Sequence, residues 1–195
     1  MKVEPVILEN EFVRLEPLRA GHHEALCRVG LEPELWRLIP TRVGSPAEMR
    51  EYIETALDEE RRGVALPFAT VEKGSDRAVG STRFGNIDVR NRRAEIGWTW
   101  IASEFQRTRV NTAAKLLMLA HAFETWKCIR VELKTDALNE RSRQAILRLG
   151  ARQEGIFRQH VICDTGRLRD TVYFSILDNE WPAVKENLLR KLGEI

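Results

Sequence analysis

One segment limits the possible folds of this chain more than any other. In it, a run of strand-forming residues at 94–101 is followed by a short polar loop and then by a helix over about residues 111–126. The helix is apolar on nearly all its faces, which is typical of a helix buried on more than one side. The segment therefore predicts a strand that passes through a tight loop into a buried helix.

The rest of the chain alternates between strand and helix patterns. Strands are predicted over residues 6–18, 66–72, 78–87, 129–135, 155–162 and 170–177. Helices are predicted over residues 22–29, 45–61, 139–149 and 182–192. This order favours a mixed α/β domain over residues 1–195, and it argues against a sandwich or a doubly wound nucleotide-binding fold.

Composition excludes several classes of protein. The 195 residues are 43% hydrophobic and 31% charged, which is enough apolar material for a packed core and argues against disorder. The 31 basic and 29 acidic residues leave a net charge of +2, so we expect no nucleic-acid partner. No apolar run approaches the roughly 20 residues that span a bilayer, so we expect no membrane partner.

Cysteine usage bears on the compartment and on metals. Cys27, Cys128 and Cys163 are odd in number and far apart, as expected of reduced, small core residues. The first twelve residues also lack the pattern of a signal peptide. We therefore expect a cytoplasmic protein without a disulfide framework and without a metal site.

The loop between the central strand and the buried helix is a candidate anion site. The first amides of a helix have no partner within the helix and lie at the positive end of its dipole. Arg107 and Arg109 flank this loop, and Thr108 and Thr112 supply hydroxyl groups. Asn111 is expected to cap the helix or to adopt a left-handed turn. These residues suit a diphosphate, but a capped helix with solvated arginines would explain them equally.

Two segments resemble a known enzyme family. AEIGWTWIASEFQRTRVNTAAK at 94–115 and KTDALNERSRQAILRLGARQEG at 134–155 are similar to the GNAT acyltransferases, especially the RimJ/RimL type of ribosomal-protein amino-terminal acetyltransferases. The likeness extends over about residues 8–180. It implies a mostly antiparallel central sheet flanked by helices, and direct transfer of an acetyl group from acetyl-CoA to a primary amine. Dimers are common among the relatives, so the resemblance also implies a homodimer.

The resemblance assigns residues to acetyl-CoA. In the family, a Gln/Arg-x-x-Gly-x-Gly/Ala loop binds the pyrophosphate; here it corresponds to residues 106–111, with Arg109 and Asn111 in place of the glycines. The implied cofactor contacts are Trp100, Ile101, Gln106, Arg107, Thr108, Arg109, Val110, Asn111, Thr112, Asn139 and Ser142. Glycine permits close approach to a phosphate and unusual dihedrals. Asparagine is the best substitute for the second property and arginine supplies charge, so binding can survive, but Arg109 leaves open a weakened or repositioned cofactor.

The resemblance also indicates proton-transfer groups. Glu95 occupies the strand position of the glutamate base in the histone-acetylating branch, and its alternative role is a structural ion pair with Arg83. His160 is a second candidate base, because histidine titrates near neutral pH. It lies one residue before Val161, which is where the RimJ/RimL pattern has a catalytic glutamate.

The leaving thiolate needs a proton donor. Many relatives carry a tyrosine on the helix after residue 139, but the corresponding residue here is Ile146, so Ser142 or a water molecule is expected to act instead. Asn139 and Ser142 would otherwise be ordinary helix-capping residues.

The sequence does not identify the acceptor amine. A peptide amino terminus, a polyamine, an amino acid and an antibiotic amine all fit the same chemistry. Trp36, Arg37 and Tyr52 belong to a region that forms one wall of the acceptor groove in the family, although core or surface packing also explains them. A catalytically inactive CoA-binding module and a protein-interaction adaptor are the alternative functions.

Overall fold

A computed structural model describes residues 1–193. Its strands are β1 (Leu8–Glu9), β2 (Val13–Pro17), β3 (Leu66–Glu72), β4 (Arg77–Asp88), β5 (Arg93–Ile101), β6 (Arg130–Asp136), β7 (Arg152–Ile162) and β8 (Leu168–Leu177). Its α-helices are α1 (His23–Gly30), α2 (Pro33–Trp36), α3 (Pro46–Arg61), α4 (Arg109–Ala120), α5 (Glu140–Leu149) and α6 (Trp181–Leu192). One π-helical turn, His121–Thr125, continues α4.

The strands form one sheet in the order β1-β2-β3-β4-β5-β6-β8-β7. All neighbouring strands are antiparallel except β5 and β6, which are parallel. The predicted mixed α/β fold with a mostly antiparallel sheet is therefore confirmed.

Several predicted boundaries were wrong for local reasons. The strand predicted over residues 6–18 is a hairpin, because the Asn10 side chain accepts hydrogen bonds from the amides of Phe12 and Val13 and turns the chain. The long helix begins at Arg109 rather than at Asn111, because Thr108 is its N-cap. Helix α2 was not predicted at all.

Two cores lie on opposite faces of the sheet. Helices α4, α5 and α6 cover one face, and α1, α2 and α3 cover part of the other. In the second core, Trp100 packs against Trp36 with ring centroids 5.4 Å apart, and Trp36 packs against Tyr52 at 5.5 Å. Trp36 and Tyr52 are therefore packing residues, while Arg37 is exposed and pairs with Glu34.

The face that carries the second core is open over β6, β8 and β7. A groove of about 780 Å³ lies there, lined mainly by polar side chains that include Arg93, Glu132, Lys134 and Tyr173. The opposite faces of these same strands supply Val131, Leu133, Val172 and Phe174 to the first core, in keeping with the two-residue period of a strand.

Candidate active site

The sheet divides at its centre. Strands β5 and β6 pair only through Arg93 with Arg130, Ala94 with Val131 and Glu95 with Glu132. Beyond that point β6 continues to pair with β8 as far as Asp136, whereas β5 continues along β4 to Ile101. An opening therefore lies between residues 96–101 and 133–136, and an extended molecule can enter it.

A bulge bends β5 beside this opening. Ser81 of β4 pairs with Trp100 of β5, but Arg83 pairs with Gly97, so β5 contains one extra residue at this point. Within the bulge, Trp98 takes a left-handed backbone conformation with φ of 48°. Left-handed backbone is uncommon for a bulky residue and is found at functional sites.

A buried lysine lies beneath the bulge. Lys115 of α4 donates hydrogen bonds from Nζ to the hydroxyls of Thr99 at 2.7 Å and Thr82 at 3.3 Å. Burial lowers the pKa of Lys115 from 10.5 to about 7. Lys115 was not predicted as a site residue, although a single lysine within a helix that is apolar on nearly all sides indicates a buried charge.

The loop at the end of β5 leads into α4 through two special residues. Arg107 has a left-handed backbone with φ of 62°, and the Thr108 hydroxyl accepts a hydrogen bond from the Val110 amide at 3.3 Å. The expectation that Asn111 caps the helix or turns left-handed was therefore wrong. Arg109 and Asn111 are helical, so neither requires the backbone freedom of glycine.

The candidate cofactor side chains near this loop point in different directions. The Arg109 guanidinium stacks over the Phe12 ring at 5.1 Å, and Thr112 accepts a hydrogen bond from Arg148 at 3.4 Å. The Trp100 side chain lies in the second core and the Val110 side chain lies in the first core. Only the backbone groups of these two residues are therefore left to contact a cofactor.

Two segments meet at the mouth of the opening. Gln106 donates a hydrogen bond to the Ile101 carbonyl at 3.0 Å and accepts one from Arg141 at 2.5 Å. Asn139 is the N-cap of α5, and its side chain accepts a hydrogen bond from the Ser142 amide at 3.0 Å. The structure thus brings the phosphate-loop candidates together with the Asn139–Ser142 turn.

Glu95 is buried on the open face of the sheet, with 6% of its surface exposed. It pairs with Lys134 at 2.6 Å and accepts a hydrogen bond from Asn86 at 2.6 Å. The alternative ion pair of Glu95 with Arg83 was wrong, because Arg83 pairs with Glu59 at 2.7 Å. Burial lowers the pKa of Lys134, but the charge and hydrogen bond of Glu95 together with the contribution of Tyr173 outweigh burial, and the pKa is raised.

Arg83 lies against two aromatic rings. Its guanidinium lies 5.2 Å from the ring centroids of both Tyr52 and Trp98, an arrangement that favours a cation.

His160 lies on an exposed bulge of β7, next to Gln159, whose backbone is left-handed with φ of 47°. Its Nε2 lies 3.5 Å from the Tyr173 hydroxyl, and the Tyr173 ring lies 4.5 Å from Lys134 Nζ. Since Lys134 pairs with Glu95, both candidate bases lie on one face of the sheet. Tyr173, which connects them, was missed because its partners are 13 and 39 residues away in the sequence.

Within residues 1–193 there is no group of three metal-ligating side chains. In the same range no helix is long and apolar enough to cross a bilayer.

Comparison with known proteins identifies the family. The sequence model of the acetyltransferase (GNAT) domain family matches residues 13–152 of this chain, which is more than half of its length. The chain is a GNAT acetyltransferase. It is therefore an acyltransferase enzyme. It is 34% identical over 145 residues to the Bacillus subtilis protein named "Putative ribosomal N-acetyltransferase YdaF", which covers 72% of this chain and 77% of that protein.

Solved structures agree with this assignment. A GCN5-related N-acetyltransferase from Brucella melitensis is 33% identical and has a TM-score of 0.90, covering 97% of this chain and 86% of that one. The Salmonella typhimurium enzyme that modifies the N-terminal serine of ribosomal protein L7/L12 has a TM-score of 0.78 over 88% of this chain and 99% of that one. At 19% identity this second likeness concerns the fold alone. The resemblance to the GNAT acyltransferases is confirmed by the family model and by the relative named as a ribosomal N-acetyltransferase.

Proposed function

We propose that this acetyltransferase moves an acetyl group from acetyl-CoA to a primary amine, specifically a protein N-terminal amine, by direct transfer in a ternary complex. The opening between β5 and β6, which ends at the first turn of α4, is the observation that carries the proposal. The names of the Bacillus subtilis relative and the Salmonella typhimurium enzyme support a protein acceptor.

The residues around the opening fit acetyl-CoA. Backbone groups of residues 96–101 face the gap left by β6 and can pair with the amides of the pantetheine arm. The amides at the start of α4 and the exposed Arg107 side chain suit the pyrophosphate.

Two glycine replacements do not prevent this assignment. Arg109 directs its guanidinium to Phe12, and both Arg109 and Asn111 have helical backbones. We therefore propose that residues 106–112 bind the pyrophosphate mainly through backbone amides, with Asn139 and Ser142 on the opposite side of the pantetheine arm.

When bound, acetyl-CoA supplies an activated acetyl thioester. We propose Glu95 as the base that takes the proton of the acceptor through a water molecule, with His160 as the second candidate. An N-terminal amine has a pKa of about 8 and a lysine side chain has one of about 10.4. The N-terminal amine therefore needs much less assistance from a base to lose its proton. The Ser142 hydroxyl is proposed to donate a hydrogen bond to the leaving sulfur.

A covalent acyl-enzyme is not required. Cys27 lies 3.5 Å from His23, but burial raises the pKa of this thiol, and the His23 ring also hydrogen-bonds to the Pro46 carbonyl at 2.8 Å. A thiol that holds its proton is a poor nucleophile. We also propose that residues 1–195 form one cytoplasmic domain that acts as a homodimer.

Two measurements test the proposed function. Calorimetry should show binding of acetyl-CoA, and mass spectrometry should show labelled acetyl groups on N-terminal peptides incubated with the protein and labelled acetyl-CoA. Binding without acetylation of any amine would favour the inactive CoA-binding module. Absence of both would favour the interaction adaptor.

A further inference from the structure

Arg169 is a further charged residue that is buried on the face of the sheet that carries Glu95. Arg169 of β8 is 8% exposed, and its Nε atom has no hydrogen-bond partner. Its partner across the β7–β8 ladder is Val161, which offers no charge. A buried arginine of this kind is unusual, because a buried charge is normally paired or hydrogen-bonded.

The nearest carboxylates are already paired. Asp136 pairs with Arg167, and Glu95 pairs with Lys134. Within residues 1–193, Arg169 takes part in no ion pair. The two pairs are neutral, so one positive charge remains uncompensated. Burial lowers the pKa of Arg169, and the negative charges of Asp136 and Glu95 only partly oppose it.

A loop crosses the sheet near this charge. The Asp164 amide in the β7–β8 turn donates to the Pro40 carbonyl at 3.0 Å, and the Arg42 amide donates to the Asp164 carboxylate at 3.0 Å. The segment between α2 and α3 therefore contacts the turn that leads into Arg169.

A second polar group on the same face also lacks a partner. Thr171 is two residues from Arg169 along β8, so both side chains project from one side of the strand. Its hydroxyl is buried and has no hydrogen-bond partner among the described residues. A guanidinium that can donate and a hydroxyl that can donate or accept are thus left unsatisfied side by side.

We propose that Arg169 binds a carboxylate of the acceptor, so that the preferred acceptor is an amine that also carries a carboxylate, such as a peptide with an acidic residue at its start. The inference rests on the proposed function. Glu95 pairs with Lys134, whose partner on β8 is Tyr173, and Thr171 and Arg169 project from the same side of β8 as Tyr173. One acceptor can therefore place its amine toward Glu95 and its carboxylate toward Arg169, with the Thr171 hydroxyl as a further donor.

Matched acceptors test this inference. N-terminal peptides that differ only by Asp or Asn at the second position would be compared in steady-state assays with wild-type protein, Arg169→Gln and the control Arg158→Gln, an exposed arginine on β7. For wild type and the control, we expect the KM of the Asp peptide to be at least about tenfold lower. In Arg169→Gln the KM of the Asp peptide should rise to that of the Asn peptide, so that the preference disappears.

Other outcomes would overturn the inference. Equal KM values for the two peptides with wild type would exclude carboxylate recognition, and a raised KM for acetyl-CoA in Arg169→Gln would place the arginine on the cofactor instead. A lower melting temperature of Arg169→Gln with unchanged peptide preference would give Arg169 a structural role.

The inference can fail separately from the proposed function. Peptide binding measured by fluorescence anisotropy without acetyl-CoA should show the same Asp preference in wild type, and its loss in Arg169→Gln. Calorimetry with acetyl-CoA alone tests the cofactor assignment. Cofactor binding without an Asp preference overturns the carboxylate site only, whereas an Asp preference without cofactor binding overturns the proposed function only.

Discussion

Replacing Lys115 by methionine should change how the stability of the enzyme depends on pH. Lys115 is buried, and its Nζ contacts only the hydroxyls of Thr82 and Thr99 and no carboxylate within residues 1–193. Its pKa falls from 10.5 to about 7 on folding. Since each tenfold change in proton affinity is worth about 1.4 kcal/mol, this fall corresponds to about 5 kcal/mol.

The sign of the effect follows from proton uptake on unfolding. Below about pH 7 the lysine is protonated in both states, and the folded protein carries the full cost of the buried charge. Between about pH 7 and 10.5 only the unfolded chain is protonated, so the free energy of unfolding rises with pH by up to about 1.4 kcal/mol per unit. Above that range the group contributes no further change.

The Lys115→Met variant removes this contribution. At pH 8 it should be the more stable protein, by about 1–2 kcal/mol once the lost hydroxyl hydrogen bonds, at about 1 kcal/mol each, are subtracted. Urea unfolding followed by tryptophan fluorescence at pH 7, 8 and 9 measures the difference between the two proteins, with exposed Lys191→Met as the control. The advantage of the variant should shrink as pH rises. A difference that does not vary with pH would refute the reasoning, because Lys115 would then keep its proton in the folded state.

Three further changes have defined expectations. Glu95→Gln should lower kcat about 10²-fold at neutral pH with little change in the KM of acetyl-CoA, and unchanged turnover across pH would exclude Glu95 as the base. Thr108→Ala removes the N-cap of α4 and should lower the free energy of unfolding by about 1 kcal/mol, with weaker acetyl-CoA binding by calorimetry. Gly30→Ala places a methyl group 2.5 Å from the Trp100 ring, and should lower the melting temperature through overpacking of about 1–3 kcal/mol. A rise in that temperature would show that the ring can move aside.

Local patterns in the sequence were enough to predict most elements of the fold. The spacing of Ser45 to Glu48 predicts a helix cap, and the Ser45 hydroxyl does accept a hydrogen bond from the Glu48 amide at 3.2 Å. Gly150 directly after the apolar pattern of residues 139–149 predicts the end of α5, and its φ of 108° is the left-handed conformation that favours glycine there. In both cases the deciding contact lies within four residues along the chain.

The contacts of the site could not be predicted in the same way. Glu95 pairs with Lys134 only because β5 and β6 are parallel neighbours, which brings together residues 39 apart in sequence. Arg83 was the alternative partner of Glu95, but its guanidinium lies against two rings and pairs with Glu59 instead. Such choices depend on tertiary packing, which residue spacing does not encode.

The division of the sheet has a mechanical consequence. Five strands on one side and three on the other are joined edge to edge by just three residue pairs, so the seam has few hydrogen bonds of its own. A thioester carrier bound between β5 and β6 would take the place of a missing strand and connect the two parts of the sheet. Amide exchange along residues 96–101 and 133–136 should therefore slow on saturation with acetyl-CoA, and the two halves of the enzyme should then open as a single cooperative unit.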